Sequence, residues 1–487
     1  MDPRESAKQV KKTGLDVGFL CAGWPPDIGG VESHAQDLAR ALRTRGHRVH
    51  VFCLDTSSEY EPFTTHSSVI DGVEVRRLAY AYGDHDRLAA VAVNSKAEDA
   101  IHGWLAETPC DVVHVHHLTG FGMGALRAIS DIGAPCVMML HDYWPLCPRG
   151  QMLSASGELC ERPETSACAT CLSATWPHLM PSGSGQPLGP RGEQLADDAA
   201  AVDRRTQFAL EMLGLPHRLF TPSTASGAVY LRAGLGADQL EVCENGVEVA
   251  ELAREVATAR AGLERGAEGA VRLGILGTVL PSKGVLELAR TFAEANLEGL
   301  TLEIHGNLPT YHGDDSYLTE LRALADSTPG LTVHGPYARA ELPAILAGLD
   351  GVAAPSRWEE VFGLSVREAR AAGLPVLVSR AGALPEVVEE SGEDAWVIDR
   401  DDWAAWREAL TEFTEMAEIR ARRGGQSTAP RSTEEMMLQL ERAYVEVIVE
   451  TTGSIPELEF PFEDLAPEPA PQKTGLLGRL KRVFGPG

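Results

Sequence analysis

Short apolar runs alternate with stretches of helical periodicity along most of the chain, and this alternation restricts the fold more than any other feature. The first series of runs is LDVGFLCAG (15–23), HRVHVFCLD (47–55), VEVRRLAY (73–80), DVVHVHH (111–117), APCVMMLHD (134–142), HRLFTPS (217–223) and LEVCENGV (240–247). An Ala-, Glu- and Arg-rich stretch, 251–268, reads as a connecting helix or linker. The second series is VRLGILGTV (271–279), LTLEIHGN (300–307), LTVHGPY (331–337), DGVAAPS (350–356), PVLVSRAG (375–382) and AWVID (395–399). Runs this apolar suit parallel strands covered on both faces. They predict an α/β protein of two tandem Rossmann-like, doubly wound domains, 14–250 and 251–430. In such sheets ligands sit at the carboxyl ends of the strands, so two facing domains make a cleft. TEEMMLQLERAYVEVIVE predicts a terminal helix within 431–452 that packs back on the first domain. Residues 1–13 read as a polar extension, and 453–487 as a disordered acidic linker followed by a basic tail.

With 487 residues the chain is long enough for two or three cores. Its formal charge of -27 argues against nucleic acid as a partner, while leaving room for a local phosphate site. The N-terminus lacks the apolar core of a signal peptide. No apolar run approaches the ~20 residues needed to span a bilayer. A cytoplasmic, reducing setting is therefore expected, where clustered cysteines favour metal over disulfides.

Two segments carry candidate chemistry. In LCAGWPPDIGGVESHAQDLARALRTRGH, Gly29 and Gly30 fall where a helix starts, with Val31, Ala35, Leu38, Ala39 and Leu42 on one face. Free N–H groups at such a start favour an anion, although a ligand-free βα turn gives the same pattern. In APSRWEEVFGLSVREARAAGLPVLVS (354–379), a strand ends at Pro355-Ser356 and a helix runs from about Ser365 to Ala372. Glu360 and Glu368 lie eight apart, with the amides of Phe362, Gly363 and Leu364 between them. Carboxylates accept from hydroxyls and amides donate to an anion, which suits a ligand rich in both. Taken singly, Glu368 could close a capping box with Ser365, and Glu360 could be a solvated loop acid.

PSRWEEVFGLSVREARAAGLPVLVS resembles the E-x7-E segment of retaining glycosyltransferases of the GT-B fold, family 4, which use nucleotide sugars. GGVESHAQDLARALRTRGHRVHVF, DVVHVHH, EVCENGV and GTVLPSKG resemble other segments of that family, in matching order from roughly residue 14 to 450. The resemblance implies a role for each matched position. Glu368 would bind the ribose of the donor, and Glu360 hydroxyls of its sugar. Lys283 would hold the diphosphate. Gly29 and Gly30 would let the first domain reach the phosphate or sugar, and His116 would help position the reacting centre. The family often has Arg where this chain has Thr278, which leaves Lys283 more of the diphosphate charge and makes Arg357 or Arg380 candidates to compensate. Retention in the family is attributed to same-face attack by the acceptor, so no enzymic nucleophile is expected and no cofactor for the chemistry. The acceptor would be a glycan, a lipid-linked molecule or another hydroxyl compound. For His116 the plain alternative is a buried core histidine. His114 shares its strand face, and His117 and His141 are near enough in sequence to suggest a metal. Two other functions stay open, a two-domain nucleotide-sugar epimerase and a non-catalytic scaffold.

A Cys-rich insertion, 143–195, interrupts the first domain. Cys147, Cys160, Cys168 and Cys171 follow the spacing C-x12-C-x7-C-x2-C, which suits a closed structural zinc site. An iron–sulfur cluster has no specific spacing behind it, and incidental loop cysteines are the plain alternative. In the tail, KTGLLGRLKRVFGPG (473–487), Leu476, Leu477, Leu480, Val483 and Phe484 share one helical face beside four basic residues. That pattern would allow peripheral membrane contact, against which stand Gly475 and Gly478.

Overall fold

The computed structural model describes residues 14–25, 29–81, 87–183, 191–263, 270–389, 395–420 and 430–454. The extension 1–13, residues 184–190 of the insertion, and the linker and tail from 455 onward lie outside the described residues.

The first sheet has eight strands: β1 (Asp16–Leu20), β2 (Arg48–Asp55), β3 (Thr65–Ile70), β4 (Val73–Ala79), β5 (Val112–Val115), β6 (Cys136–Met139), β7 (Arg218–Thr221) and β8 (Leu240–Val242). Their order is β3-β4-β2-β1-β5-β6-β7-β8, and only β3 runs antiparallel. The second sheet is parallel throughout: β9 (Val271–Leu276), β10 (Leu300–His305), β11 (Leu331–Gly335), β12 (Gly351–Ala354), β13 (Val376–Ser379) and β14 (Ala395–Ile398). Its order is β11-β10-β9-β12-β13-β14. Strand order reverses between β1 and β5 in one sheet and between β9 and β12 in the other. Each reversal leaves a crevice beyond the carboxyl ends of those strands, where ligands of doubly wound sheets bind.

The strand period of two sorts side chains onto two faces. Val17 and Phe19 of β1 join one core with the helices Gly30–Thr44 and Thr433–Thr452, while Leu20 joins the core on the other face. The helix Thr433–Thr452 buries Met436, Met437, Leu440, Tyr444, Val447 and Ile448 there. Burying a side chain of this size stabilises by about 1.5–3 kcal/mol, enough to hold a helix that reaches the first domain from the far end of the chain. Its start is secured by Ser432, whose side chain accepts from the Glu435 N–H while Glu435 reaches back to the Ser432 N–H. The Tyr444 hydroxyl lies 2.6 Å from His114 Nδ1 on β5.

Candidate functional site

A cleft of about 330 Å³ opens beyond the carboxyl ends of β9 and β12. The first domain lends it Gly29, Gly30 and Ser33, and the second domain supplies the rest of its wall. Helix starts are its main electrostatic feature. Gly29 precedes the helix Gly30–Thr44, Gly284 the helix Val285–Ala295, and Gly363 the helix Leu364–Ala371. Unpaired N–H groups and aligned peptide dipoles make each start attractive to an anion. Glycine is required at two of them. Gly363 has φ 74°, and Gly284 has φ 66° with its would-be Cβ only 2.1 Å from the Pro355 carbonyl. At the third start, the Gly29 N–H donates to Glu32 Oε2 at 2.9 Å.

Lys283 and Glu360 meet on the cleft wall, with Nζ to Oε1 at 2.6 Å. The Ser356 hydroxyl donates to the same Glu360 oxygen at 2.5 Å. The ammonium also lies over the Trp358 ring, 5.1 Å from its centroid. Trp358 and Val361 pack into the first domain's core, so the loop carrying Glu360 is anchored across the domain boundary. Glu368 lies on the helix Leu364–Ala371 and also lines the cleft. Because Gly363 is the N-cap, Ser365 falls inside the helix and the capping box with Glu368 is not used. Burial pushes the Glu368 carboxyl up to about 7, a rise that Arg339 opposes and Asp37 reinforces. Burial, with Glu368 beside it, also pushes the Tyr337 hydroxyl up to about 12.

The expected residues are not all brought together. Gly29, Gly30, Lys283, Glu360, Gly363, Leu364 and Glu368 share the cleft. Phe362 is turned into packing: the Arg367 guanidinium sits over its ring at 4.3 Å and donates to its carbonyl. His116 is fully buried, away from the cleft wall. It stacks on His114 at 4.1 Å between ring centroids, meets Phe19 edge-on, and has Nδ1 3.4 Å from His141 Nε2. Burial first, then His114, His34 and His141, lowers its pKa well below the ordinary histidine value, so the ring is neutral. Thr278 does line the cleft, but Arg357 is engaged by Asp401 and Glu287, and Arg380 by Asp399. Neither arginine takes the place of the missing one.

The sequence reading overlooked Ser356, Asn307, Tyr337 and Arg339, which also line the cleft. Asn307, Tyr337 and Arg339 follow the ends of β10 and β11, where the carboxyl-end rule would have found them. Arg339 also donates to Asp37 of the first domain at 2.8 Å. A second crossing joins Glu386 to the first domain, its carboxylate accepting from the Thr224 and Ala225 N–H groups at 3.2 and 2.6 Å. Among the described residues, metal-ligand atoms gather in threes within 4.8 Å at His34–His116–His141 and at Glu303–His305–His334; the four sulfurs of the Cys-rich insertion stand further apart. Among the described residues no helix is long and apolar enough to cross a membrane.

Comparison with known proteins places this geometry in context. Residues 28–251 match the family model described as Glycosyltransferase Family 4, and residues 270–415 the model described as Glycosyl transferases group 1. Phosphatidyl-myo-inositol mannosyltransferase of Mycobacterium tuberculosis is 26% identical over 127 residues, 26% of this chain. The match spans 31% of that curated relative's length, and its counterpart in Mycobacterium bovis matches equally. Among solved structures, sucrose-phosphate synthase from Thermosynechococcus elongatus superposes with a TM-score of 0.60 at 16% identity, covering 90% of this chain and all of that one. Anabaena HepE in complex with UDP-glucose gives 0.54 at 17% identity, covering 90% and 99%. Two glycosyltransferase models in tandem, over two doubly wound domains that meet at a cleft, lead to one conclusion: the chain is a glycosyltransferase of the GT-B fold, its first domain matching family 4 and its second group 1.

Proposed function

We propose that the protein transfers a sugar from a nucleoside-diphosphate donor to a hydroxyl of a glycan, lipid-linked or other acceptor, with retention of anomeric configuration. The observation that carries this reading is the Lys283–Glu360 pair set beside the glycine-led helix starts of the second domain. As the bond from the anomeric carbon to the diphosphate breaks, the sugar becomes oxocarbenium-like and negative charge grows on the leaving oxygens. Lys283 and the N–H groups that begin the helices Val285–Ala295 and Leu364–Ala371 are positioned to take that charge. Glu360 then exchanges Lys283 for the sugar hydroxyls, which it orients rather than attacks. Glu368, as a carboxylate, accepts from the ribose hydroxyls. The acceptor hydroxyl enters on the face the diphosphate leaves, and its proton passes to a departing phosphate oxygen. His116 supports the acceptor-side wall from behind, through its stack with His114 and His141. The complex of HepE with UDP-glucose agrees in kind with a nucleotide-sugar donor, and the name of the mycobacterial mannosyltransferase with transfer of a sugar. Membrane contact through residues 473–487 belongs to the proposal on sequence grounds alone, and liposome binding that survives their deletion would remove it.

The test is a panel of UDP-, GDP- and ADP-sugars. Nucleoside diphosphate release is followed together with the anomeric configuration of the product by NMR. Release by the wild type, strongly reduced in Lys283→Met and Glu360→Gln, supports transfer. An altered sugar nucleotide with no diphosphate released would point to epimerisation instead. Inverted product would refute retention.

A further inference from the structure

Against the Cys-rich insertion, on the helix Arg191–Leu213, lies a buried cation without an ion-pair partner among the described residues. Arg205 is only 3% exposed. Its two terminal nitrogens donate to the carbonyls of Pro145 and Trp144 at 2.6 and 2.5 Å, its plane lies over the Trp144 ring, and its Nε has no partner. Among the described residues no carboxylate forms an ion pair with it. A buried charge left uncompensated costs several kcal/mol, so this position calls for a counter-charge. Cys147, Cys168, Tyr230 and Asp142 are the groups that surround Arg205.

The backbone prepares the thiols to serve together. Cys147 opens a tight turn in which the Gly150 N–H donates to its carbonyl and Gly150 adopts φ 79°. The chain then doubles back through the Leu153–Leu159 bridge, and the Cys160 N–H donates to the Met152 carbonyl at 2.8 Å. Cys168 and Cys171 lie one turn apart on the helix Thr165–Thr175 and so share a face. All four are unbridged and half-buried, and each of the other three acts electrostatically on Cys160. An Arg149 terminal nitrogen donates to Cys171 Sγ at 3.4 Å. Cys147 and Cys160 pack against the first domain's main core beside Trp144, Leu146 and Met152, whereas the helix carrying Cys168 and Cys171 rests on a small separate cluster of Leu88, Ala169, Leu172, Met180 and Val202. Small units of this kind are commonly held by a metal.

We propose that Cys147, Cys160, Cys168 and Cys171 bind one zinc ion as four thiolates, and that the resulting anion is the counter-charge of Arg205 and Arg149. Four thiols release four protons, and four thiolates around Zn²⁺ leave a net charge of −2, which the two guanidinium groups balance. Sulfurs around zinc stand about 3.8 Å apart, given a Zn–S bond of ~2.3 Å, so binding draws the four together from their present spacing. Metal binding reaches the second domain through Arg149. The same guanidinium donates to the Tyr311 hydroxyl at 2.9 Å and to His312 Nε2 at 3.4 Å, both in the second domain. The Tyr311 hydroxyl donates in turn to Gln151 Oε1, and Trp176 meets His312 edge-on. The ion thus fixes a latch between insertion and donor domain. This inference stands independently of which sugar, if any, is transferred.

The full chain, purified without chelators, is expected to contain one zinc per molecule, released in step with titration of the thiols by a mercurial reagent. After exchange with Co²⁺ it should show the intense visible bands of tetrahedral thiolate coordination. Cys168→Ser and Cys171→Ser should lose the metal, while Cys136→Ser, in the core on β6, should keep it. Arg205→Leu should weaken zinc retention against a competing chelator by about 10–100-fold, the usual effect of removing a group that supports a metal site from outside. If the cysteine variants do not fold, wild-type metal content and the cobalt spectrum still decide. Protein without metal and without a cobalt spectrum overturns the proposal. So does zinc retained in the cysteine variants, or bound iron with a cluster chromophore.

Discussion

Lys283 has a short list of partners, and each one bears on a measurement. Its ammonium is held by Glu360 and faces Trp358, while Arg357 and Arg380 are tied up by Asp401, Glu287 and Asp399. Arg339, which also lines the cleft, is paired with Asp37, so little cationic redundancy remains there. Lys283→Met is expected to lower kcat by about 10²–10³-fold, the range found when one preorganised donor to a developing anion is removed. Steady-state kinetics with the preferred donor would check it, and Thr278→Arg should restore part of the loss. Glu368 supplies a pH signature. Its carboxyl rises from its ordinary value of 4.5 to about 7 in the folded protein, because it is buried. Below 4.5 both folded and unfolded chains hold the proton. As pH climbs from there to 7 the unfolded chain releases it more readily, so stability falls over that interval and then levels. Melting temperatures from pH 4.5 to 8 should show this decline, and Glu368→Gln should flatten it. Nucleotide binding should move the opposite way and strengthen as pH passes 7, because the carboxylate is the better acceptor for ribose hydroxyls.

At the level of elements, what the sequence could reveal depended on whether a residue's partner was local. The central strands β1, β5, β6 and β13 were readable because each is buried on both faces and is therefore largely apolar. β3 was not: THSSVI is an edge strand lying largely exposed, so burial imposed no pattern on it. The 23-residue helix Arg191–Leu213 was missed as well, since its alanines and charges carry no sharp stripe. Glu360, Glu368 and Lys283 could be placed by local spacing and by resemblance. Asp37, Arg339 and Glu386 could not, because their partners lie hundreds of residues away or in the other domain. Glu386 is the clearest instance. Its side chain covers the start of the helix Thr224–Arg232 across the interface, alongside Ser223, which accepts from the Ser226 N–H. Glu386→Ala leaves two N–H groups at that start without their partner. It is expected to cost about 1–2 kcal/mol, read as a lower melting temperature, with a larger radius of gyration in solution scattering as the cleft loosens.

For the molecule as a whole, the contacts that join the two domains include the Asp37–Arg339 pair, the Glu386 cap, the Arg149–Tyr311–His312 latch and the packing of Trp358 and Val361 into the first domain's core. A donor that bridges Gly29 and Gly30 on one side and Lys283 on the other adds another. Its nucleotide should raise the melting temperature, by an amount equivalent to about 2.7 kcal/mol at a hundred times its dissociation constant. The chain also crosses between the domains twice, and the two crossings lie side by side. The Val247 N–H donates to the Arg431 carbonyl at 2.9 Å, Val247 bridges Ser432, and Gly246 packs so closely on Thr433 that a Cβ there would lie 2.2 Å from its Cα. The second domain is therefore a cassette inserted at a single doorway, with every strand of the first sheet and its covering helix outside it. A chain joined directly from Gly246 to Ser432 by a short turn should fold as a free-standing first domain. The same doorway would accept the corresponding cassette from a relative, so donor choice could be exchanged while the acceptor side stays intact.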